Sequence, residues 1–231
     1  MKHTDNYRAA YSRLLRGIPR GVFIIALTCT AMHIMQRVVA SSPVRTVLLG
    51  PDRNHVLVQD PLSFLFAIHG IGLSLGFFWT SVTYMFLHGS WIHLILNMIG
   101  LYVFGKGVTR EAGEGALWGI FISSGIVGGV GWALSSGLDS AVPCMGASAG
   151  VLGLAGAYAT LRPRDRFVIF LPFPIVLPAW VLAIGLLVLN ALELIFVESQ
   201  VAYLAHLLGI VVGIVAGFII KKFKWGNNYG G

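Results

Sequence analysis

The chain has 231 residues, of which 56% are hydrophobic and only 11% are charged, and its formal net charge is +7. The charged fraction is less than half of the ~25% usual in soluble domains, which excludes a soluble enzyme and indicates an integral membrane protein in contact with the lipid bilayer. The basic residues lie between apolar segments and are not clustered, so the net charge predicts no nucleic-acid partner. Two cysteines, Cys29 and Cys144, are too few to predict a disulfide framework.

Six apolar segments follow one another and predict an all-α polytopic membrane protein with six transmembrane helices. Most of them approach the ~20 residues that a spanning helix needs, and the fourth is shorter. The predicted segments are 21–39, 84–105, 115–136, 146–161, 174–196 and 201–220. A cluster of three prolines, Pro172, Pro174 and Pro178, leads into the fifth segment and is expected to delay or kink its first turn.

The connection between the first two segments is long and has two parts. Residues 40–60 are polar, whereas residues 61–83 are apolar and aromatic but are interrupted by His69 and several glycines. Trp79 is typical of the membrane–water interface. We therefore expect the 61–83 stretch to be an interfacial or re-entrant element, which makes the first loop long and partly embedded in the membrane.

The distribution of basic residues predicts the orientation. If the six segments span, thirteen of the sixteen lysines and arginines fall on one side, and the other side holds only Arg37, Arg45 and Arg53. The positive-inside rule then places both termini in the cytoplasm. The predicted organisation is a cytoplasmic N-terminal segment (1–20), a membrane domain (21–220) and a cytoplasmic tail (221–231).

The fourth segment carries one serine among small residues. These small residues let helix backbones approach closely in a membrane, and they are Gly146, Ala149, Gly150, Gly153 and Gly156. They predict a slender central helix that begins near Ser148, where the free amides of the first turn favour a developing anion. The sequence from Gly146 to Gly150 also matches G-x-S-x-G, but that motif needs an alternating α/β chain, which the hydropathy excludes.

Polar residues on segments two and six fall at a similar depth in the outer half of the membrane. His206 shares one helix face with Gly209, Gly213 and Gly217, so it lies where another helix can approach most closely. The matching small-residue helix is segment four, and this predicts a hydrogen bond between Ser148 and His206, as an activated nucleophile requires. Segments two, four and six contain no Asp or Glu, which favours a Ser–His dyad and leaves Asp139 as the alternative third member.

His93 and Asn97 are four residues apart on segment two and share a face. With the backbone N–H of Ser148, their side chains could form an oxyanion hole. His88 points elsewhere, and we interpret it as a structural hydrogen-bonding residue. Two alternatives stay open: Asn97 as a residue that joins helices, and His88, His93 and His206 as ligands of a metal or haem. The metal hypothesis leaves Ser148 and Asn97 unexplained, so no metal or cofactor is predicted.

Together these residues resemble the rhomboid family of intramembrane serine proteases. The resemblance covers about residues 20–220 and rests on three motifs in order: His88-x4-His93-x3-Asn97, Gly146-Ala147-Ser148, and Ala205-His206-x2-Gly209-x3-Gly213. It implies a six-helix rhomboid-like bundle, with Ser148 as nucleophile and His206 as general base and then acid. It also implies His93, Asn97 and the Ser148 amide as oxyanion stabilisers, with His88, Gly146 and Gly209 in supporting roles.

The resemblance implies cleavage of transmembrane protein substrates near the outer membrane face, with substrate entering past segment five. The six-helix core resembles the bacterial form, which favours a bacterial inner membrane. Three positions depart from the family pattern: Thr80 follows Trp79 where an arginine is usual, Leu152 replaces an aromatic residue, and Thr109 stands near a usual glutamate. The alternative function is a non-catalytic rhomboid-like binder of transmembrane helices.

Overall fold

A computed structural model describes residues 17–40, 46–49, 55–58, 61–171, 173–196 and 202–226, and these are mostly helical. The helices are α1 (Arg20–Ala40), α2 (Pro61–Phe66), α3 (Gly70–Ser74), α4 (Thr80–Thr83), α5 (Trp91–Ala112), α6 (Glu114–Ser135), α7 (Ser148–Leu161), α8 (Ala179–Phe196) and α9 (Tyr203–Gly226). Most of the two predicted cytoplasmic segments and of the polar part of the first loop lies outside the described residues.

Four of these helices, α1, α5, α6 and α9, are long and apolar enough to cross a membrane. Helix α7 and the Ala179–Leu192 part of α8 are apolar but shorter. Large apolar side chains on the outside of the bundle are exposed, for example Ile92 and Ile195, at 65% and 71% of their surface. Such a surface is not compatible with water and fits a polytopic bundle surrounded by lipid.

Two antiparallel hairpins accompany the helices, a feature that the all-α prediction did not include. Strand β1 (Thr46–Leu49) pairs with β2 (His55–Val58), and β3 (Arg166–Leu171) pairs with β4 (Phe173–Pro178). Proline lacks an amide hydrogen and pushes the preceding residue out of the helical region, so residues 174–178 form a strand. Helix α8 therefore begins at Ala179, directly after the last proline, and the predicted start at 174 was five residues too early.

The start of the second predicted segment also differs. Tyr84–Phe86 form a single 3-10 turn, and α5 begins only at Trp91, where the side chain of Ser90 accepts a hydrogen bond from the His93 amide at 3.2 Å. His88 therefore precedes the helix, whereas the sequence placed it on the helix. Helix α5 then runs through a π-helical turn at Leu101–Gly105 and ends at Ala112, beyond the predicted end.

The 61–83 stretch contains the three short helices α2, α3 and α4, none of which is long enough to span. It is joined to the segment that leads into α7 by two backbone hydrogen bonds between Ile68 and Cys144, of 3.1 Å and 2.8 Å. His69 caps α3, because its Nδ1 accepts from the Gly72 amide at 2.8 Å while its Nε2 donates to the Phe64 carbonyl at 2.9 Å. The first loop is therefore connected directly to the approach to Ser148.

Helix α7 is the centre of the bundle and packs against both α6 and α9. Its contact with α9 depends on glycine: a Cβ at Gly209 would overlap the Ala149 carbonyl oxygen, and one at Gly213 would overlap that of Gly153. The small-residue face that the sequence predicted is thus a backbone-to-backbone contact. This contact brings the first turns of α7 and α9 together.

Candidate active site

Ser148 is the first residue of α7 and is half-buried. The chain enters the helix through Gly146, whose φ of +135° lies in a region that side chains rarely adopt. The Gly146 amide donates to the Tyr84 carbonyl at 3.0 Å, which holds the turn in place. The first amides of a helix have no partner within it, so the Ser148 side chain lies beside free N–H donors and the positive end of the helix dipole.

His206 is in the first turn of α9, directly beside Ser148. The distance between Ser148 Oγ and His206 Nε2 is 2.7 Å, within hydrogen-bond range. The neighbouring Ala205 is 2% exposed, and Gly209 follows one turn later against the Ala149 backbone. The predicted proximity of these two residues therefore follows from the close approach of α7 and α9.

Asn190 is a further member of the site that the sequence analysis missed. Its Oδ1 lies 2.8 Å from His206 Nδ1, and its Nδ2 donates to the Leu186 carbonyl at 2.8 Å. Asn190 is on α8 and is only 6% exposed. A polar residue in an apolar segment is costly unless it has a partner, and this could have identified it. The predicted alternative third member was an acid, whereas the residue in that position is an amide.

Asp139, the alternative third member, does not take that position. It is exposed in the connection between α6 and α7. The Nδ1 side of His206, where an acid would have to lie, is occupied by Asn190.

His93 and Asn97 lie on α5 and line the same cavity as Ser148 and His206. The His93 ring packs against Gly146, where a Cβ would be 2.7 Å from its Cε1. Asn97 is 5% exposed, and its Nδ2 donates to the His93 carbonyl at 3.0 Å. One amide hydrogen of Asn97 is thus bound within its own helix, and the second is left for another acceptor.

The cavity between α5, α7, α8 and α9 has a volume of about 560 Å³. Four polar residues at its wall, Ser148, His206, His93 and Asn97, are surrounded by apolar side chains. These apolar neighbours include Leu96, Phe104, Val151, Leu152 and Leu186. A cavity of this size and character can accept an apolar peptide segment and hold one reacting carbonyl among polar groups.

His88 is connected to the site through His93. Its backbone amide donates to Gln36 Oε1 at 3.0 Å, and its carbonyl accepts from His33 Nδ1 at 2.9 Å. Its ring is fully buried and meets the His93 ring edge-on, with 5.2 Å between centroids. His88 therefore contacts His93 and anchors the chain before α5 to α1.

The residues described here contain no group of three His, Cys, Asp or Glu side chains arranged to hold a metal ion. His206 uses one ring nitrogen for Ser148 and the other for Asn190. A metal bound by His206 would need the lone pair of one of these two nitrogens, and its binding would break one of the two hydrogen bonds.

The three departures from the family pattern lie in different environments. Leu152 faces the cavity from α7. Thr80 is fully buried and donates to the Phe77 carbonyl at 2.6 Å, while Trp79 Nε1 donates to Leu65 at 2.8 Å. Near Thr109, the carboxylate of Glu111 forms an ion pair of 2.9 Å with Arg162. Glu111 thus supplies a charged contact close to the place of the usual glutamate.

The fold and the site together define a polytopic membrane protein with a hydrogen-bonded serine and histidine at a cavity inside its helical bundle. The Rhomboid domain family model matches residues 75–223, more than half of the chain. The chain therefore belongs to the rhomboid family, as the sequence motifs predicted.

Relatives in this family come from bacteria and from organelles. The chain is 25% identical to the putative rhomboid protease YdcA of Bacillus subtilis over 174 residues, which are 75% of this chain and 81% of that protein. It is 24% identical to the rhomboid protease GlpG of Yersinia enterocolitica, over 84% of this chain and 60% of GlpG. It is 28% identical to the mitochondrial rhomboid protein 1 of Saccharomyces cerevisiae, over 59% of this chain and 40% of that protein. The chain spans less than two thirds of the last two.

Proposed function

We propose that this protein is an intramembrane serine endopeptidase that cleaves transmembrane segments of other membrane proteins. Ser148 is the nucleophile and His206 is the general base and acid. The observation that carries the proposal is the 2.7 Å distance between Ser148 Oγ and His206 Nε2 at the wall of an apolar cavity. Membership of a family in which relatives are named as proteases supports it.

The reaction begins with transfer of the Ser148 hydroxyl proton to Nε2 of His206, as Oγ attacks the carbonyl carbon of the scissile peptide bond. The tetrahedral intermediate collapses when His206 returns the proton to the leaving amine, and an ester with Ser148 remains. His206 then removes a proton from water, which attacks the ester and releases the second product. The proton returns to Ser148 Oγ, and both residues are regenerated.

The negative oxygen of the intermediate needs donors on the side of the cavity away from His206. We assign this role to the Ser148 backbone N–H, the His93 imidazole and the Asn97 amide. The assignment is supported by the common cavity of the three residues and by the position of the Ser148 amide at the start of α7. His88 acts through its ring contact with His93, and Gly146 and Gly209 act by allowing His93 and α9 to approach.

The substrate class follows from the surroundings of the site. A peptide must be extended when its carbonyl is attacked, and its backbone then loses helical hydrogen bonds, which is costly in lipid. A site near the outer end of α7 and α9 shortens the part of the substrate that must unfold in the membrane. We propose entry of the substrate from the lipid past α8, and cleavage near the outer face.

The six-span topology and the orientation belong to the same proposal. In this topology α7 and α8 span with the four longer helices, and 61–83 forms the membrane-embedded part of the first loop. Both termini are cytoplasmic and the membrane is a bacterial inner membrane. Reporter fusions after residue 226 and within residues 136–147 test the orientation, which requires a cytoplasmic signal from the first and an outer signal from the second.

The first test is reaction with a fluorophosphonate probe, which forms a covalent bond only with an activated serine. Purified protein in detergent is compared with Ser148→Ala, His206→Ala and the matched control Ser123→Ala, which lies on the exposed side of α6. Labelling must be lost in the first two variants and kept in the third. Cleavage of a model transmembrane substrate must follow the same pattern.

Helix binding without catalysis is the competing outcome of this test. It would appear as a folded wild-type protein that neither reacts with the probe nor cleaves any of a panel of transmembrane substrates, yet binds some of them. That result would overturn the proposed function.

A further inference from the structure

The hydrogen bond between His206 and Asn190 connects the site to α8. Asn190 lies on α8, and its Oδ1 is 2.8 Å from His206 Nδ1. On the same face of α8 the buried residues are Ala179 and Ala183, which offer no hydrogen bond. An unpaired amide in lipid is costly, so an amide in this apolar face is expected to have a specific hydrogen-bond partner.

The orientation of the Asn190 amide is determined by a second contact. Its Nδ2 donates to the Leu186 carbonyl at 2.8 Å, one helical turn earlier. A flipped amide would place oxygen against this carbonyl oxygen, where neither atom can donate. The Asn190 oxygen therefore faces His206, and only a protonated Nδ1 can form the observed hydrogen bond.

This arrangement decides which tautomer His206 adopts. A neutral imidazole carries one proton, so a proton on Nδ1 leaves Nε2 with its lone pair. Nε2 is the nitrogen 2.7 Å from Ser148 Oγ, and it needs the lone pair to receive the hydroxyl proton. In a soluble serine protease, replacing the aspartate partner of the histidine by asparagine holds the wrong tautomer. Here the hydrogen bond from Asn190 Nδ2 to the Leu186 carbonyl directs the Asn190 oxygen toward His206. This orientation holds the productive tautomer of His206.

We propose that Asn190 is the positioning residue of His206, so that Ser148, His206 and Asn190 form a hydrogen-bonded serine–histidine–amide chain across α7, α9 and α8. This inference rests on the proposed function of Ser148 and His206. Asn190 does not contact the substrate: it fixes the tautomer and the ring orientation of the base. It differs from a carboxylate in carrying no charge, so it orients the imidazole without attracting the positive charge that develops on it.

The variants are chosen to separate orientation from packing. Asn190→Leu keeps the approximate size and removes both hydrogen bonds. Asn190→Asp restores an acceptor for Nδ1–H and adds a negative charge. Ile184→Ala is the matched control on the same helix, because Ile184 is 54% exposed and faces away from the site. Thermal unfolding in detergent reports whether each variant folds.

The rate of fluorophosphonate labelling is measured from pH 5 to pH 9. We expect Asn190→Leu to fold and to label on the order of tenfold to a hundredfold more slowly, because much of His206 then holds its proton on Nε2. Asn190→Asp restores labelling to within a few-fold of wild type. The pH below which labelling falls is higher in this variant, because a carboxylate stabilises the imidazolium form of His206. Among the residues that the structure describes, the other ionisable groups around His206 are His93 on α5 and Tyr203 on α9, and both are unchanged in these variants.

Nitrogen NMR of protein labelled with ¹⁵N-histidine supplies a readout that does not depend on catalysis. The His206 resonances, assigned by their absence in His206→Ala, must show the proton on Nδ1 in wild type and a shift toward Nε2 in Asn190→Leu. A wild-type proton on Nε2, or wild-type labelling of a folded Asn190→Leu at all pH values, overturns the inference. A folded wild-type protein that has the proton on Nδ1 but neither labels nor cleaves any transmembrane substrate overturns the proposed function and leaves the Asn190 contact established.

Discussion

Gly146, in the turn before α7, is in contact with His93 on α5: a Cβ at position 146 would lie 2.7 Å from His93 Cε1 and 2.9 Å from its Nε2. The same glycine has a φ of +135° and precedes Ser148 by two residues. One residue thus shapes the turn into α7 and leaves the space in which the His93 ring rests. The position of a proposed oxyanion donor is therefore coupled to the turn that presents the nucleophile.

Replacement of Gly146 is the sharpest test of this coupling. Gly146→Ala adds both backbone strain and a clash with His93, whereas Gly113→Ala adds only strain, because Gly113 has a φ of +87° and open space around it. Both variants should lose about 1–3 kcal/mol of stability, measured as a lower unfolding temperature. Only Gly146→Ala should also lose most of its fluorophosphonate labelling. Equal labelling of the two folded variants would contradict the coupling.

A glycine in the contact between α7 and α9 should respond to substitution by alanine differently from a glycine outside it. Gly209→Ala places a methyl group into the Ala149 carbonyl, which separates the helices or strains them at a cost of about 1–3 kcal/mol. Gly185→Ala on α8 meets nothing within 4 Å and improves helix propensity by roughly 0.5–1 kcal/mol. Thermal unfolding should show a decrease for the first and no decrease for the second. Because Gly209 is one turn from His206, its substitution should also lower activity.

The proximity of Ser148 and His206 could be predicted from the sequence because it depends on backbones. Glycines four residues apart on one helix and small residues on another leave few side chains in the way, so the closest approach is visible in the spacing. The residues next to that approach, Ser148 and His206, then have to be neighbours. The same reasoning gave no access to Asn190, because α8 contains a single glycine, Gly185, and so has no glycine strip that marks a close approach to another helix.

Two boundaries were also hidden by averaged hydropathy. The run from Tyr84 to Gly105 is apolar throughout, yet Ser90 caps a helix that begins at Trp91. The local pattern Gly89-Ser90 is a typical helix start, but it carries little weight in a window of ~20 residues. Similarly, the apolar residues 166–178 form a hairpin, because Pro174 and Pro178 exclude a helix. In both places a local signal, a capping serine or a proline, determines where the helix begins.

The anchor of His88 on α1 predicts a loss of stability that does not begin in the active site. Gln36 is 1% exposed. Its Oε1 accepts a hydrogen bond from the His88 amide, and its Nε2 donates to Ser63 Oγ at 3.1 Å. Gln36→Leu leaves the buried His88 amide without its acceptor, which costs about 1–3 kcal/mol. We expect a lower unfolding temperature and a modest loss of labelling at low temperature. Met35→Ala, on the exposed side of α1, is the control and should change neither quantity.

The ion pair between Arg162 and Glu111 should contribute little to stability, although its charged atoms are only 2.9 Å apart. The Arg162 side chain is 53% exposed, and pairs in contact with water typically contribute about 0–1 kcal/mol. Arg162→Gln should therefore leave the unfolding temperature nearly unchanged in 0.15 M salt. A large decrease would indicate that the pair is shielded by the headgroup region.

The proposed oxyanion donors predict a loss in kcat rather than in substrate binding. The negative charge forms only in the transition state, so His93→Ala and Asn97→Ala should each lower kcat for a transmembrane substrate by about 10²–10³, with KM nearly unchanged. The double variant should lose less than the product of the two, because Asn97 Nδ2 is bound to the His93 carbonyl and the two residues share one helix. Ile95→Ala, exposed on the opposite side of α5, is the matched control and should keep wild-type kcat. A change confined to KM in the His93 and Asn97 variants would assign these residues to substrate binding and remove them from the oxyanion hole.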